Sequence, residues 1–150
     1  SSGHFWMGTL PDGATPLRTP SALDVQLWAQ LLRDAPKHWR RALAWVEHAN
    51  AVEGGFDFTD TRDGLWTEGT AQAALVYRWL GRKAEVDKLL PSITRQISPG
   101  GFLYATPQAR ITAAYSYYYH QPHLAATAWA VLAALNRNPY VPAGSTTRQP

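Results

Sequence analysis

The run GLWTEGTAQAALVYRWLG, residues 64–81, sets the architecture. Trp66 and Glu68 stand just before a string of small and apolar residues. That string reads as a helix from about Gly69 to Leu80, stopped by Gly81. It has almost no polar face, and a helix that is apolar all round must be covered on most sides. The segment is therefore predicted to be an inner helix, with a carboxylate at its mouth.

Four further helices are predicted around it. ALDVQLWAQLLR runs from Ala22 to Arg33 after a plausible cap at Ser21. In KHWRRALAWVEHAN the apolar residues Trp39, Ala42, Leu43, Val46 and Ala49 recur at helical spacing, opposite a charged face. A second amphipathic helix starts near Arg82, with Val86, Leu89, Leu90, Ile93 and Ile97 as its stripe and a kink or break at Pro91. The last helix runs from about Pro122 to Leu135, after the aromatic loop at 102–123. Residues 1–20 read as extended chain with a Pro11-Asp12-Gly13 turn, 1–4 as a tag remnant, 21–140 as the domain, and 141–150 as a flexible tail.

The chain repeats itself. GGF occurs at 54–56 and again at 100–102. DVQLWAQLL from Asp24, EGTAQAALV from Glu68 and AATAWAVLA from Ala125 align on their centres. Trp28 then pairs with Gln72 and Trp129, and Gln26 with Thr70 and Thr127. Amphipathic and all-apolar helices alternate, the pattern of hairpins with one helix inside and one outside. The expected fold class is all-α: a toroid-like array of helical hairpins, about five helices, forming an incomplete (α/α)6 barrel.

Composition narrows the function. A net charge of +3 with no basic run does not favour nucleic acid. The absence of cysteine excludes disulfides and thiolate metal sites. No apolar run is long enough to span a membrane. No phosphate loop, dinucleotide fingerprint or serine elbow is present. His120 and His123 have HxxH spacing, but Pro122 lies between them and no third ligand follows, so no metal and no cofactor is expected. Seven Trp and seven Tyr are the unusual feature, and flat rings lining a groove stack on sugars.

The GGF punctuation, the EGTAQAAL and HLAATAWAVLAAL helices and the Asn-Pro-Tyr stop resemble bacterial members of the six-hairpin glycosidase-like (α/α) superfamily. The resemblance implies a carbohydrate-active domain, most simply a glycoside hydrolase or half of one. Its partners would be an oligo- or polysaccharide and a second chain or missing half that completes the ring. It favours an exported location slightly and assigns none.

Inner helices in such an array start at one shared mouth. Asp24 and Glu68 sit there, and glycoside hydrolysis uses paired carboxylates about 5–5.5 Å apart for retention or about 6.5–9.5 Å for inversion. Glu68 is the leading acid or base and Asp24 its partner; Asp57, Asp60 and Asp63 are further candidates. Trp66, Tyr104, Trp28, Trp129, Tyr119 and His123 are expected to line or support a sugar groove. Two rival functions remain open. In a polysaccharide lyase, Tyr and His of YSYYYHQPH would do the chemistry while Arg110 neutralises a uronate. In a non-catalytic module, the same groove would grip glycan without cleaving it.

Overall fold

The computed structural model describes residues 3–142; residues 1–2 and most of the segment expected to be a tail, 143–150, lie outside the described residues. Five α-helices follow in order: α1 (Leu23–Leu31), α2 (Arg40–Ala49), α3 (Thr67–Trp79), α4 (Lys83–Thr94) and α5 (Leu124–Ala134). A single 3-10 turn, Lys37–Trp39, leads into α2. Three two-stranded antiparallel sheets punctuate the helices: β1 (Gly8–Thr9) with β2 (Pro16–Leu17), β3 (Ala51–Val52) with β4 (Gly55–Phe56), and β5 (Arg110–Ala113) with β6 (Ser116–Tyr119).

The all-α expectation is therefore corrected. The chain is a mixed α/β fold, 41% helix and 14% strand, and not an all-α toroid. The aromatic loop at 102–123 is where the difference is largest. Its Arg-Ile-Thr-Ala and Ser-Tyr-Tyr-Tyr segments pair in register, Arg110 opposite Tyr119 and Ala113 opposite Ser116, around a turn at Ala114 and Tyr115. The alternation of strand side chains, two to a period, governs this segment. Pro91 does not break α4: the helix continues through it to Thr94.

α3 is the centre. It packs on α1 to one side, α5 to the other and α4 behind, and every residue from Thr67 to Tyr77 is buried. α2 covers α1 and is amphipathic, burying Ala42, Leu43 and Val46. Across the back, the Tyr77 hydroxyl donates to Glu47 at 3.0 Å, and Arg82 bridges Glu47 and Glu85. Half-exposed ion pairs of this kind add little stability. The apolar cluster of Leu23, Leu27, Leu31, Trp66, Leu75 and Val76 supplies most of it.

The sequence repeat is real in three dimensions, and the turn that GGF marks twice occurs three times. Each unit opens on a glycine in left-handed backbone: Gly3 (φ +79°), Gly54 (φ +78°) and Gly101 (φ +84°). Two residues on, the chain is clipped by the fourth residue of an inner helix. Phe5 N–H donates to Gln26 Oε1 at 2.7 Å, Phe56 N–H to Thr70 Oγ1 at 3.1 Å, and Leu103 N–H to Thr127 Oγ1 at 2.9 Å. Gln26, Thr70 and Thr127 thus do one job, which explains why polar residues stand in apolar helices. Successive units are also joined. The first amide of α1 donates to Phe58 O, and the first amide of α3 to Ala105 O, each at 2.9 Å.

Candidate functional site

The repeat places Asp24, Glu68 and Ala125 alike, each the second residue of its helix. The residue before each helix is equivalent too: Ala22, Trp66 and His123. The amides of Trp66 and His123 donate to Phe56 O (2.8 Å) and Leu103 O (2.7 Å). One end of the α1–α3–α5 layer therefore gathers a carboxylate from each of two units and an imidazole from the third.

Glu68 is the focus. It is 9% exposed. Gln72, one turn on and fully buried, donates to its Oε1 at 3.1 Å. His123 Nδ1 lies 3.7 Å from its Oε2. Burial, and then the charge of Asp24, push the Glu68 carboxyl up to about 7. The N-terminal dipole of α3 favours the ionised form by about 0.3–1 kcal/mol. The shift corresponds to about 3 kcal/mol in the other direction, so burial wins. Asp24, held by the Val25 amide at 2.8 Å, is also raised by burial.

His123 Nδ1 caps α5 by accepting from the Ala126 amide at 3.3 Å. A nitrogen that accepts a hydrogen bond carries no proton, so in this geometry the ring is neutral, and burial lowers its proton affinity. The contact with Glu68 is accordingly no ion pair. A neutral imidazole beside it is a further reason for Glu68 to keep its proton.

The aromatic residues separate into two groups. Trp66, 1% exposed, stacks under Tyr118 (5.3 Å between centroids) with Phe58 edge-on at 4.7 Å. It supports the site from below. Tyr118 also meets His123 edge-on at 5.5 Å. Trp28 and Trp129 stack at 6.4 Å, partly exposed, from equivalent positions on α1 and α5. On the other face of the β5–β6 hairpin lie Tyr119, Tyr117 and Arg110, whose guanidinium sits 4.6 Å over the Tyr117 ring. Alternation along β6 sends Tyr118 inward and Tyr119 outward. Tyr104 stacks on His120 at 4.0 Å. The structure thus brings Glu68, Asp24, His123 and Trp66 together, and turns Tyr119 and Arg110 away from Tyr118. The sequence places the Tyr117–His120 cluster at this mouth as a group, and the pairing of β5 with β6 is what separates Tyr118, turned inward, from Tyr117 and Tyr119.

The loop aspartates hold structure. Asp57 is fully buried and accepts from the Phe58 amide (2.7 Å), the Asp63 amide (2.9 Å) and the Thr61 hydroxyl (3.1 Å). Burial nevertheless pushes it up to about 6. Asp63 ties this loop to β5 through Thr112, accepting from its amide at 3.0 Å and its hydroxyl at 2.6 Å. Asp60 is exposed. Replacing Asp57 with Ala strands three donors and is expected to lower stability by about 2–3 kcal/mol in urea unfolding.

No protein-family model, curated protein or solved structure matches this chain. The site must speak through its own chemistry. Among the described residues no group of three His, Asp or Glu side chains has the geometry to hold a metal ion. No described helix is long and apolar enough to cross a membrane.

Proposed function

We propose that this chain is a carbohydrate-active domain whose chemistry is glycoside hydrolysis, with Glu68 as general acid and Asp24 as the second carboxylate. The observation that carries the reading is the environment of Glu68. A carboxyl shifted to about 7 is about half protonated in neutral solution, where an ordinary carboxyl is ionised, and in that form it can donate to a leaving oxygen. A second carboxylate close by is the usual complement, and Asp24 is near enough for its charge to contribute to the Glu68 shift. The Trp28–Trp129 pair offers ring faces for a sugar. Among the described residues six buried side-chain N or O atoms have no hydrogen-bond partner, and three of them, Trp66 Nε1, Thr67 Oγ1 and Gln72 Oε1, belong to α3 and the residue that opens it.

The lyase alternative is weaker on this geometry. A tyrosine base needs its proton affinity lowered. Burial, then Glu68 and Asp24, push Tyr118 up to about 12. Arg110, the residue meant for a uronate, stands on the opposite face of the hairpin.

Incubation with a panel of neutral and acidic polysaccharides, assayed for new reducing ends and for absorbance near 235 nm, tests the reading. New reducing ends without that absorbance are expected. Unsaturated products would indicate elimination, and binding without cleavage would leave a recognition module. Asp24→Asn removes the second carboxylate and should abolish turnover; it also removes the like charge beside Glu68, so the Glu68 carboxyl, followed by carbon NMR, should titrate at lower pH than in the wild type.

A further inference from the structure

The two flanks of the α1–α3–α5 layer carry stripes of small and aliphatic residues at repeat-equivalent positions. Counting from the first residue of each inner helix, positions 1, 5 and 8 form one stripe. In α1 these are Leu23, Leu27 and Gln30, and in α3 Thr67, Ala71 and Ala74; all six are buried. The stripe faces the next unit: a methyl group on Gly69 of α3 would overlap the side chain of Leu23. In α5 the same stripe is Leu124, Ala128 and Val131, and it lies open, with Leu124 74% and Val131 51% exposed.

Positions 3, 7 and 10 form the receiving stripe. In α3 these are Gly69, Ala73 and Val76, all buried. In α5 they are Ala126, Ala130 and Ala133, of which Ala126 and Ala133 are buried and Ala130 packs against the core. In α1 they are Val25, Ala29 and the cap residue Leu32; the first two are half-exposed and Leu32 is 42% exposed. Within this chain each stripe is covered where another unit packs on it, and the outer stripes of α5 and α1 are exposed and half-exposed respectively. None of the bare residues is charged, and all are small or aliphatic, so apposition meets no electrostatic penalty.

We propose that the open stripe of α5 is a docking face for α1 of a second copy of this chain, repeating between molecules the contact that joins α1 to α3 and α3 to α5 within one. The occupant follows from the chain itself: it presents the receiving stripe that fits, at the opposite flank. A surface that carries both complementary patches associates head to tail. Backbone pairing extends the same way. The first amides of α1 and α3 each find a carbonyl two residues past the clipped residue of the next unit, Phe58 O and Ala105 O. Met7 holds that place in the first unit, two residues past Phe5, and its carbonyl is the counterpart for the first amide of α5 in the neighbouring copy.

Sedimentation velocity at high micromolar concentration tests the proposal on the 16.6 kDa chain. The expected result is a mass of two chains or more. Val131→Arg on the α5 stripe and Leu32→Arg on the α1 stripe should each sediment as one chain, with helical circular dichroism retained because both residues are exposed. Mixed in equal amounts, they should recover a two-chain species, since the intact α5 of one fits the intact α1 of the other. A wild type that stays a single chain overturns the proposal. So does association that survives either substitution, or a mixture that stays monomeric.

Discussion

Glu68→Gln is expected to abolish hydrolysis and, at the same time, to make the protein more stable in alkali. The first effect follows from losing the proton donor. General acid catalysis is worth about 10²–10⁴-fold, so residual turnover should fall by at least the lower figure. The second follows from linkage. The folded carboxyl titrates near 7 and the unfolded one near 4.5, so between those values the folded state holds a proton that the unfolded state has released. Stability contributed by the protonated form is present below pH 4.5, declines as pH rises through 7, and is gone above it. The difference amounts to about 3 kcal/mol. Gln carries no charge at any pH and can keep the contact with Gln72. At pH 8 the variant should therefore melt roughly 6–12 °C above the wild type, and at pH 4.5 at nearly the same temperature. Calorimetry at the two pH values decides it. Equal melting temperatures at pH 8 would show that the ionised Glu68 suffers no burial penalty, and the case for a general acid would go with it.

Trp66→Ala carries the largest expected loss of stability. The ring is fully enclosed, with Phe58 edge-on, Tyr118 stacked above and the bare backbone of Gly69 against it. Removing a buried tryptophan costs about 3–5 kcal/mol, a large share of the 5–15 kcal/mol that holds a domain of this size. Gly69→Ala attacks the same contact from the other side. A helix gains about 1 kcal/mol from that exchange in isolation, but here the added methyl overlaps the Trp66 ring and the Leu23 side chain. Overpacking of this sort costs about 1–3 kcal/mol, and the clamped ring places the net effect on the destabilising side. The two substitutions should not add. Once the ring is gone the methyl has room, so the double variant should be no less stable than Trp66→Ala alone. A fully additive loss in urea unfolding would show that the two residues do not share a contact.

The helices were legible because burial writes itself into periodicity. Glu68 and Asp24 fall at matching positions as the alignment of their segments requires, and α3 is as enclosed as its lack of a polar face demands. The sheets were not legible as a class. Two-residue strands such as Gly55–Phe56 leave almost no pattern, and the run of tyrosines at 117–119 hides its alternation because both faces carry the same residue type. The GGF match also misleads by one residue. The structural equivalent of Gly54 is Gly101, not Gly100, because backbone handedness, and not the letters, defines the turn. The same criterion reveals the first unit at Gly3, where histidine interrupts the match.

The clips that fasten Phe5, Phe56 and Leu103 to their helices close loops of comparable, modest length, with sequence separations of 21, 14 and 24. Each unit can therefore assemble from its own stretch of chain at similar entropic cost. The acid site has no such autonomy. Asp24 belongs to the first unit, Glu68 to the second and His123 to the third. On the proposed hydrolase reading, competence requires the docking of all three semi-independent pieces, and it is expected to vanish when any one of them swings away, while the helices of the others are still intact.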